Sequence, residues 1–166
     1  MVARRWLLGA GCATVLSACG FQLRRPPDFA FKSVYFAASE SSPLAAELRR
    51  NLQSVEGMQV LTGVRPGEGV DVVLDLQPER RDKVVVGQSA SGQVREFVLR
   101  TRVTFGLRTL AGRSLIASTE LMQQRDFTFN ESAALAKEAE EALLYRDIQA
   151  DLVQQLMRRL AAVKAI

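Results

Sequence analysis

The sequence contains no histidine. That removes the side chain most used as a general base near neutral pH, the commonest zinc ligand, and every Ser/His or Cys/His arrangement for nucleophilic catalysis. Cysteine is nearly as scarce: Cys12 and Cys19 are the two in 166 residues, and both lie near the start. No CxxC pair, Gly-rich phosphate loop or calcium-loop spacing occurs. An enzyme would have to run on carboxylates, and Asp71 with Asp75, or Glu138 with Glu140 and Glu141, read more simply as solvated faces. No catalytic residue, no metal and no other cofactor is expected. Nor is there a strong charge of one sign. Twenty-two Lys and Arg against 18 Asp and Glu give +4, falling to about +2 if Arg4 and Arg5 are lost, so nucleic acid is not implied as a partner.

What is present begins at the start. Arg4 and Arg5 precede an apolar run from Trp6 to Leu16, followed by Ser17-Ala18-Cys19. A positive start, a short apolar run and small residues at a cut site make a secretory signal, too short to span a bilayer. Residues 1–18 are expected to be removed. Twin-arginine export is a second reading of the Arg4-Arg5 pair, although two arginines are also an ordinary signal start. Leu16-Ser17-Ala18-Cys19 resembles the bacterial lipobox, which implies a diacylglycerol thioether on Cys19 and an acyl chain on its freed amine. One acyl chain binds a membrane only marginally, at about 0.8 kcal/mol per buried CH₂, so several on one residue make a lasting anchor. Cys19 is therefore the expected lipidation site; the other reading is a secreted protein with a stray cysteine at its cut site. Gly20 stands where the inner-membrane retention signal of such lipoproteins would have aspartate, which implies the outer membrane. With Cys12 removed and Cys19 lipidated, no thiol remains to pair in an oxidising compartment.

Residues 19–30 read as a lipidated tether broken by Pro26 and Pro27. Residues 31–166 are long enough for one domain that buries about two thirds of its unfolded surface. Ser33 to Ala37 is a short strand. Ser42-Pro43 starts a helix, with Leu44, Leu48, Leu52 and Val55 on one stripe and Gly57 suited to its C-cap. Met58 to Leu61 can add a short strand, and Thr62 to Gly69 is a loop. From Val70 the apolar period is two; Pro78 interrupts it and the ladder resumes through Lys83 to Val86. After a turn at 87–92, Phe97, Leu99, Thr101, Val103, Phe105 and Leu107 point one way, while Glu96, Arg100, Arg102, Thr104 and Arg108 point the other. A turn at 110–113 and a strand over 114–129 complete an antiparallel meander. Such strands span about 50 Å and should overhang the core, with Gly106 a natural bend. From about 130 to 163 the pattern is helical, with Tyr145, Ile148, Leu152, Leu156, Leu160 and Val163 on one stripe. The expected fold is an α+β two-layer sandwich. Its mainly antiparallel sheet has four strands, or five with Met58–Leu61, and two helices cover one face.

Strand direction alone places candidate binding residues together. Successive strands of the meander reverse, so Lys83, Arg95, Arg125 and Lys137 converge at one end of the sheet beside Phe97, Phe127 and Phe129. That end could hold the phosphates and lipid of an anionic amphiphile. The same bases could instead keep strand ends soluble. Arg100, Arg102 and Arg108 on the wet face are either solvated or a docking surface for an acidic partner; three arginines on one strand face repel unless something screens them.

At this point the sequence resembles the LptE family of lipopolysaccharide-assembly lipoproteins. The resemblance is carried by Cys19-Gly20-Phe21-Gln22-Leu23-Arg24, the helix opening Pro43-Leu44, the Gly92-Gln93 turn, Ala134-Leu135-Ala136-Lys137, and Leu156-Met157-Arg158-Arg159-Leu160. It implies a non-catalytic outer-membrane lipoprotein. Such a protein sits on the periplasmic side and within the lumen of the LptD β-barrel, helps that barrel assemble, and assists delivery of lipopolysaccharide to the outer leaflet. It also implies lipopolysaccharide binding by bases near the turn before the central strand and in the stretch before the long helix. Lys137 matches the second position. At the first, residues 88–92 carry no base and Arg95 is the nearest. Two alternatives stay open: an accessory lipoprotein of another envelope machine such as barrel assembly, and a periplasmic hydrolase, which the missing histidine disfavours.

Overall fold

The computed structural model describes residues 28–39, 41–63, 66, 69–130 and 133–166. The signal segment, Cys19 and most of the tether lie outside the described residues. The elements in order are β1 (Ser33–Ala38), α1 (Pro43–Gln53), β2 (Gln59–Leu61), β3 (Val72–Leu76), β4 (Arg80–Gln88), β5 (Val94–Thr109), β6 (Ser114–Thr128) and α2 (Ala134–Ala161).

The chain forms the α+β sandwich that its patterning indicates, but the sheet is mixed and has six strands. The α1 crossover returns the chain to the end at which β1 began, so β2 pairs parallel with β1, and β3, which starts from that same end after a second return, pairs parallel on the other side of β1. The apolar stretch interrupted at Pro78 becomes two strands. β3 pairs with residues 105–109 of β5 and β4 with residues 94–102, both antiparallel. β6 runs along residues 96–108 of β5. β3 and β4 therefore share one side of β5, end to end, with β6 on the other. Both hairpins close alike: Gly92 N–H donates to Ser89 O and Gly112 N–H to Thr109 O, each at 2.9 Å, with positive φ at the glycine.

The core lies between the sheet and the two helices. Val34, Phe36, Val72, Leu74, Phe105 and Leu107 meet Leu44, Leu48 and Leu52 of α1 and Leu152, Leu156 and Leu160 of α2. Each fully buried leucine contributes about 1.5–3 kcal/mol of transfer free energy. Ser42 caps α1 by accepting the Ala45 N–H at 3.0 Å, and its hydroxyl donates to Glu79, tying the helix start to the break between β3 and β4. The helix ends at Gln53 with Ser54 as C-cap; Gly57, with φ 75°, serves the turn beyond it. Asp71 joins β1 to the start of β3. Its carboxylate accepts the Lys32 and Ser33 N–H groups at 2.8 and 2.9 Å, and its own N–H donates to the Ser33 hydroxyl. The Lys32 N–H bond chiefly holds its pKa below the usual carboxylate value, against burial, with Ser33 assisting.

The buried residues of α2 all fall between Ile148 and Leu160. At about 1.5 Å per residue, 28 residues run about 42 Å. The first half of the helix therefore extends past the core, above β4, the start of β5 and the end of β6. No helix among the described residues is long and apolar enough to cross a membrane.

Candidate functional site

The overhanging end is built by strand parity. Phe97 on β5 pairs with Phe127 on β6 and with Val85 on β4, so their side chains share the face toward α2. Phe129, just past β6, completes a cluster with centroid separations of 6.1 Å to 6.5 Å for Phe127 and 6.0 Å between Phe97 and Phe129. Lys83, one pair further along β4, places its ammonium 4.4 Å from the Phe97 centroid and 5.4 Å from that of Phe127. Lys137, in the first turn of α2, approaches Phe127 at 5.5 Å. These contacts contribute about 0.5–1 kcal/mol each where exposed. Both lysines also meet carboxylates: Lys83 pairs with Glu141 at 2.6 Å and Lys137 with Glu140 at 2.8 Å. Exposed apolar side chains lie on the same elements: Val85 shares the face of Lys83, and Leu135 stands two residues before Lys137, 84% exposed.

The four convergent bases do not behave alike. Lys83 and Lys137 share the phenylalanine cluster. Lys137 belongs to the first turn of the helix, not to the stretch before it. Arg95 lies at the rim, where its carbonyl accepts the Phe129 N–H at 2.8 Å and its guanidinium donates to Gln93 at 3.1 Å. Arg125 faces the helix but is committed to the seam, paired with Asp151 and bonded to the Gln124 carbonyl. Beside the cluster, an open groove of about 630 Å³ is lined by Arg81, Glu138, Glu141, Tyr145 and Gln149. Arg81 stands 5.3 Å from the Tyr145 centroid. Burial, then the nearby Glu141, raises the Tyr145 pKa, with Arg81 opposing.

On the opposite face of the sheet, Arg102 pairs with Asp82 and Arg108 with Asp75, the latter at 2.9 Å. The repulsion among three arginines is thus relieved partly from within, by carboxylates on the adjoining strands. Arg100 lies across from Asp82 in the register, and the Nε atoms of Arg100 and Arg102 are buried with no hydrogen-bond partner among the described residues.

Sequence reasoning did not single out Glu140 and Glu141 as partners of the bases. The three-residue spacing of Glu140 from Lys137 was the available signal for that pair, whereas the reach of Glu141 to Lys83 depends on how α2 crosses β4. Chemically, the overhang offers two ammonium groups over an aromatic floor with apolar surface around it. That suits an anionic headgroup with an attached hydrocarbon chain.

A family model described as LptE, lipopolysaccharide-assembly, matches residues 31–160. No curated protein matches the sequence. Among solved structures, the solution structure of an uncharacterized lipoprotein B from Nitrosomonas europaea is 32% identical, with a TM-score of 0.72, covering 86% of this chain and 91% of that one. The crystal structure of rare lipoprotein B from Shewanella oneidensis is 21% identical, with a TM-score of 0.66 and coverage of 78% and 94%. A minor lipoprotein from Acinetobacter baumannii is 18% identical, with a TM-score of 0.63 and coverage of 81% and 94%. The last two, below a quarter identity, speak to the fold alone.

Proposed function

The chain belongs to the LptE lipopolysaccharide-assembly family, and from that premise we propose that it is the lipoprotein subunit of a lipopolysaccharide translocon. In this reading Cys19 carries the acyl chains that hold the protein to the outer membrane. The folded domain sits within the lumen of an LptD barrel, helps it assemble, and passes lipopolysaccharide toward the outer leaflet without catalysing a reaction. The observation that carries the reading is the family match over residues 31–160, a span that includes Lys83, Lys137 and all three phenylalanines of the overhang.

The division of labour follows from the two faces. The overhang, with Lys83 and Lys137 foremost and Arg95 at its rim, takes the phosphates of lipopolysaccharide while its apolar surroundings take hydrocarbon. Arg125 supports that end by pinning β6 to α2 through Asp151. The opposite face, with Arg100, Arg102 and Arg108, meets the barrel wall. Arg100 is the strongest candidate contact because, among the described residues, no ion pair holds it as Asp82 holds Arg102 and Asp75 holds Arg108.

A mild-detergent pull-down of the lipidated protein, with partner mass and bound lipopolysaccharide both assayed, tests the reading. The expected result is one large β-barrel partner of LptD type together with lipopolysaccharide. Reversing the charge of Arg100 and Arg102 should then release the barrel while leaving bound lipopolysaccharide in place. Recovery of the lipoprotein alone, or with a general barrel-assembly machine, would contradict the proposal.

A further inference from the structure

The two lysines of the overhang already hold anions. Glu140 and Glu141 are adjacent residues in one turn of α2, and each occupies a different lysine, Lys137 at 2.8 Å and Lys83 at 2.6 Å. Both ammonium groups lie within 5.5 Å of the same Phe127 centroid, so both border one aromatic cluster. An anion that reaches either lysine must displace a carboxylate that the fold supplies. The resident carboxylate is tethered, and so acts at an effective concentration that a ligand from solution must overcome. A fatty-acid carboxylate offers the same chemistry as the glutamate it would replace and gains nothing from the exchange. A phosphate monoester brings a charge of about −1.5 to −2 and three strong acceptor oxygens, and so gains. The hydrocarbon contacts available on Val85, Leu135 and the half-buried Phe97 and Phe129 are common to both ligands and do not distinguish them.

We propose that Glu140 and Glu141 are resident competitors for Lys83 and Lys137. They set a threshold that the phosphate of an amphiphile crosses and the carboxylate of a fatty acid does not. The proposal rests on the overhang being the lipid site. Glu140 and Glu141 are partly exposed and contribute little stability, so neutralising them leaves the fold intact.

The test uses the full lipidated chain in dodecyl maltoside micelles doped with dodecyl phosphate or with laurate. The buffer is held at about pH 9, where both headgroups are ionised. Binding is followed by titration calorimetry, with thermal unfolding as the control for the fold. The native chain should bind dodecyl phosphate and show no laurate binding. E140Q/E141Q should bind dodecyl phosphate about tenfold more tightly, bring laurate into the measurable range, and steepen the salt dependence, because binding then neutralises free ammonium groups instead of exchanging one anion for another. K83Q/K137Q should lose dodecyl phosphate and, like the native chain, show no laurate binding. Unchanged or weaker binding by E140Q/E141Q, with binding still lost in K83Q/K137Q, would overturn the competitor role and leave the lipid site standing. Dodecyl phosphate binding that survives K83Q/K137Q would overturn the site, and the proposal with it.

Discussion

Between Leu99 and Leu107, β5 alternates buried and half-buried residues without a break, whereas from Val94 to Val98 the same strand has no buried residue. α2 divides in the same way, with every buried side chain from Ile148 onward and an exposed half before it. Two continuous elements thus run from a packed region into an overhang, and the means of cohesion changes along them. In the packed region, apolar side chains interlock from β1, β3, β5, α1 and α2. In the overhang, β4, β6 and α2 are joined by the Phe97–Phe127–Phe129 cluster and by ion pairs that reach from sheet to helix, such as Lys83–Glu141 and Arg125–Asp151. Burial fixes the first region and leaves the second free to exchange partners. A site that must release a resident carboxylate to take a ligand belongs where little packing depends on it.

The largest expected effect lies in the packed region. Leu156→Ala, at a side chain with no exposure, should cost about 2–5 kcal/mol in urea unfolding. Leu143→Ala, on the same helix but 55% exposed, should change stability by less than about 0.5 kcal/mol. Equal costs would erase the distinction between the two regions. Next in size, Lys83→Glu combined with Lys137→Glu should weaken lipopolysaccharide binding by roughly thirtyfold, about 2 kcal/mol, while lowering the unfolding midpoint less than Leu156→Ala does. A large drop in the midpoint would show that these lysines serve stability.

Asp71→Asn should cost about 1–2 kcal/mol at neutral pH by weakening two charge-assisted hydrogen bonds. Because the folded pKa of Asp71 is lowered, the stability it adds is fully present above its ordinary value of 3.8 and is lost as pH falls through the lowered folded value. The native and variant chains should therefore converge in stability at acid pH, and a constant difference there would remove the charge from the account. The smallest effect is expected at Arg102→Gln, where losing the partly exposed pair with Asp82 should cost at most about 1 kcal/mol.

Much of this comparison is legible in the sequence. Period two from Val94 to Thr109 assigns Phe97 and Leu99 to one face, and hairpin reversal carries Phe127 and Lys83 to the same end. Pro78, lacking a backbone donor, marks where β3 gives way to β4. What is less legible depends on the third dimension. The parallel pairing of β1 follows from the path of the chain through α1, which apolar spacing does not encode. The partners of Arg102, Arg108 and Arg125 depend on cross-strand register and helix rotation. Asp75 lies on the same face as Arg108, and this shared face was the signal for their pairing. Arg125 lies on the same face as Lys83, as strand direction indicates, but its partner was not legible, because Asp151 is presented by a later turn of α2 that periodicity does not aim at any particular strand.

Hydrogen exchange of the lipidated chain, with and without lipopolysaccharide, tests the central claim most directly. Without ligand, the amides of β3, the second half of β5 and residues 148–160 should exchange slowest, and those of β4 and residues 134–147 faster. Lipopolysaccharide should slow exchange in residues 83–99 and 125–141 and leave the packed region unchanged. Slowing confined to the face that carries Arg100, Arg102 and Arg108, or no slowing at the overhang, would contradict the assignment of the lipid site.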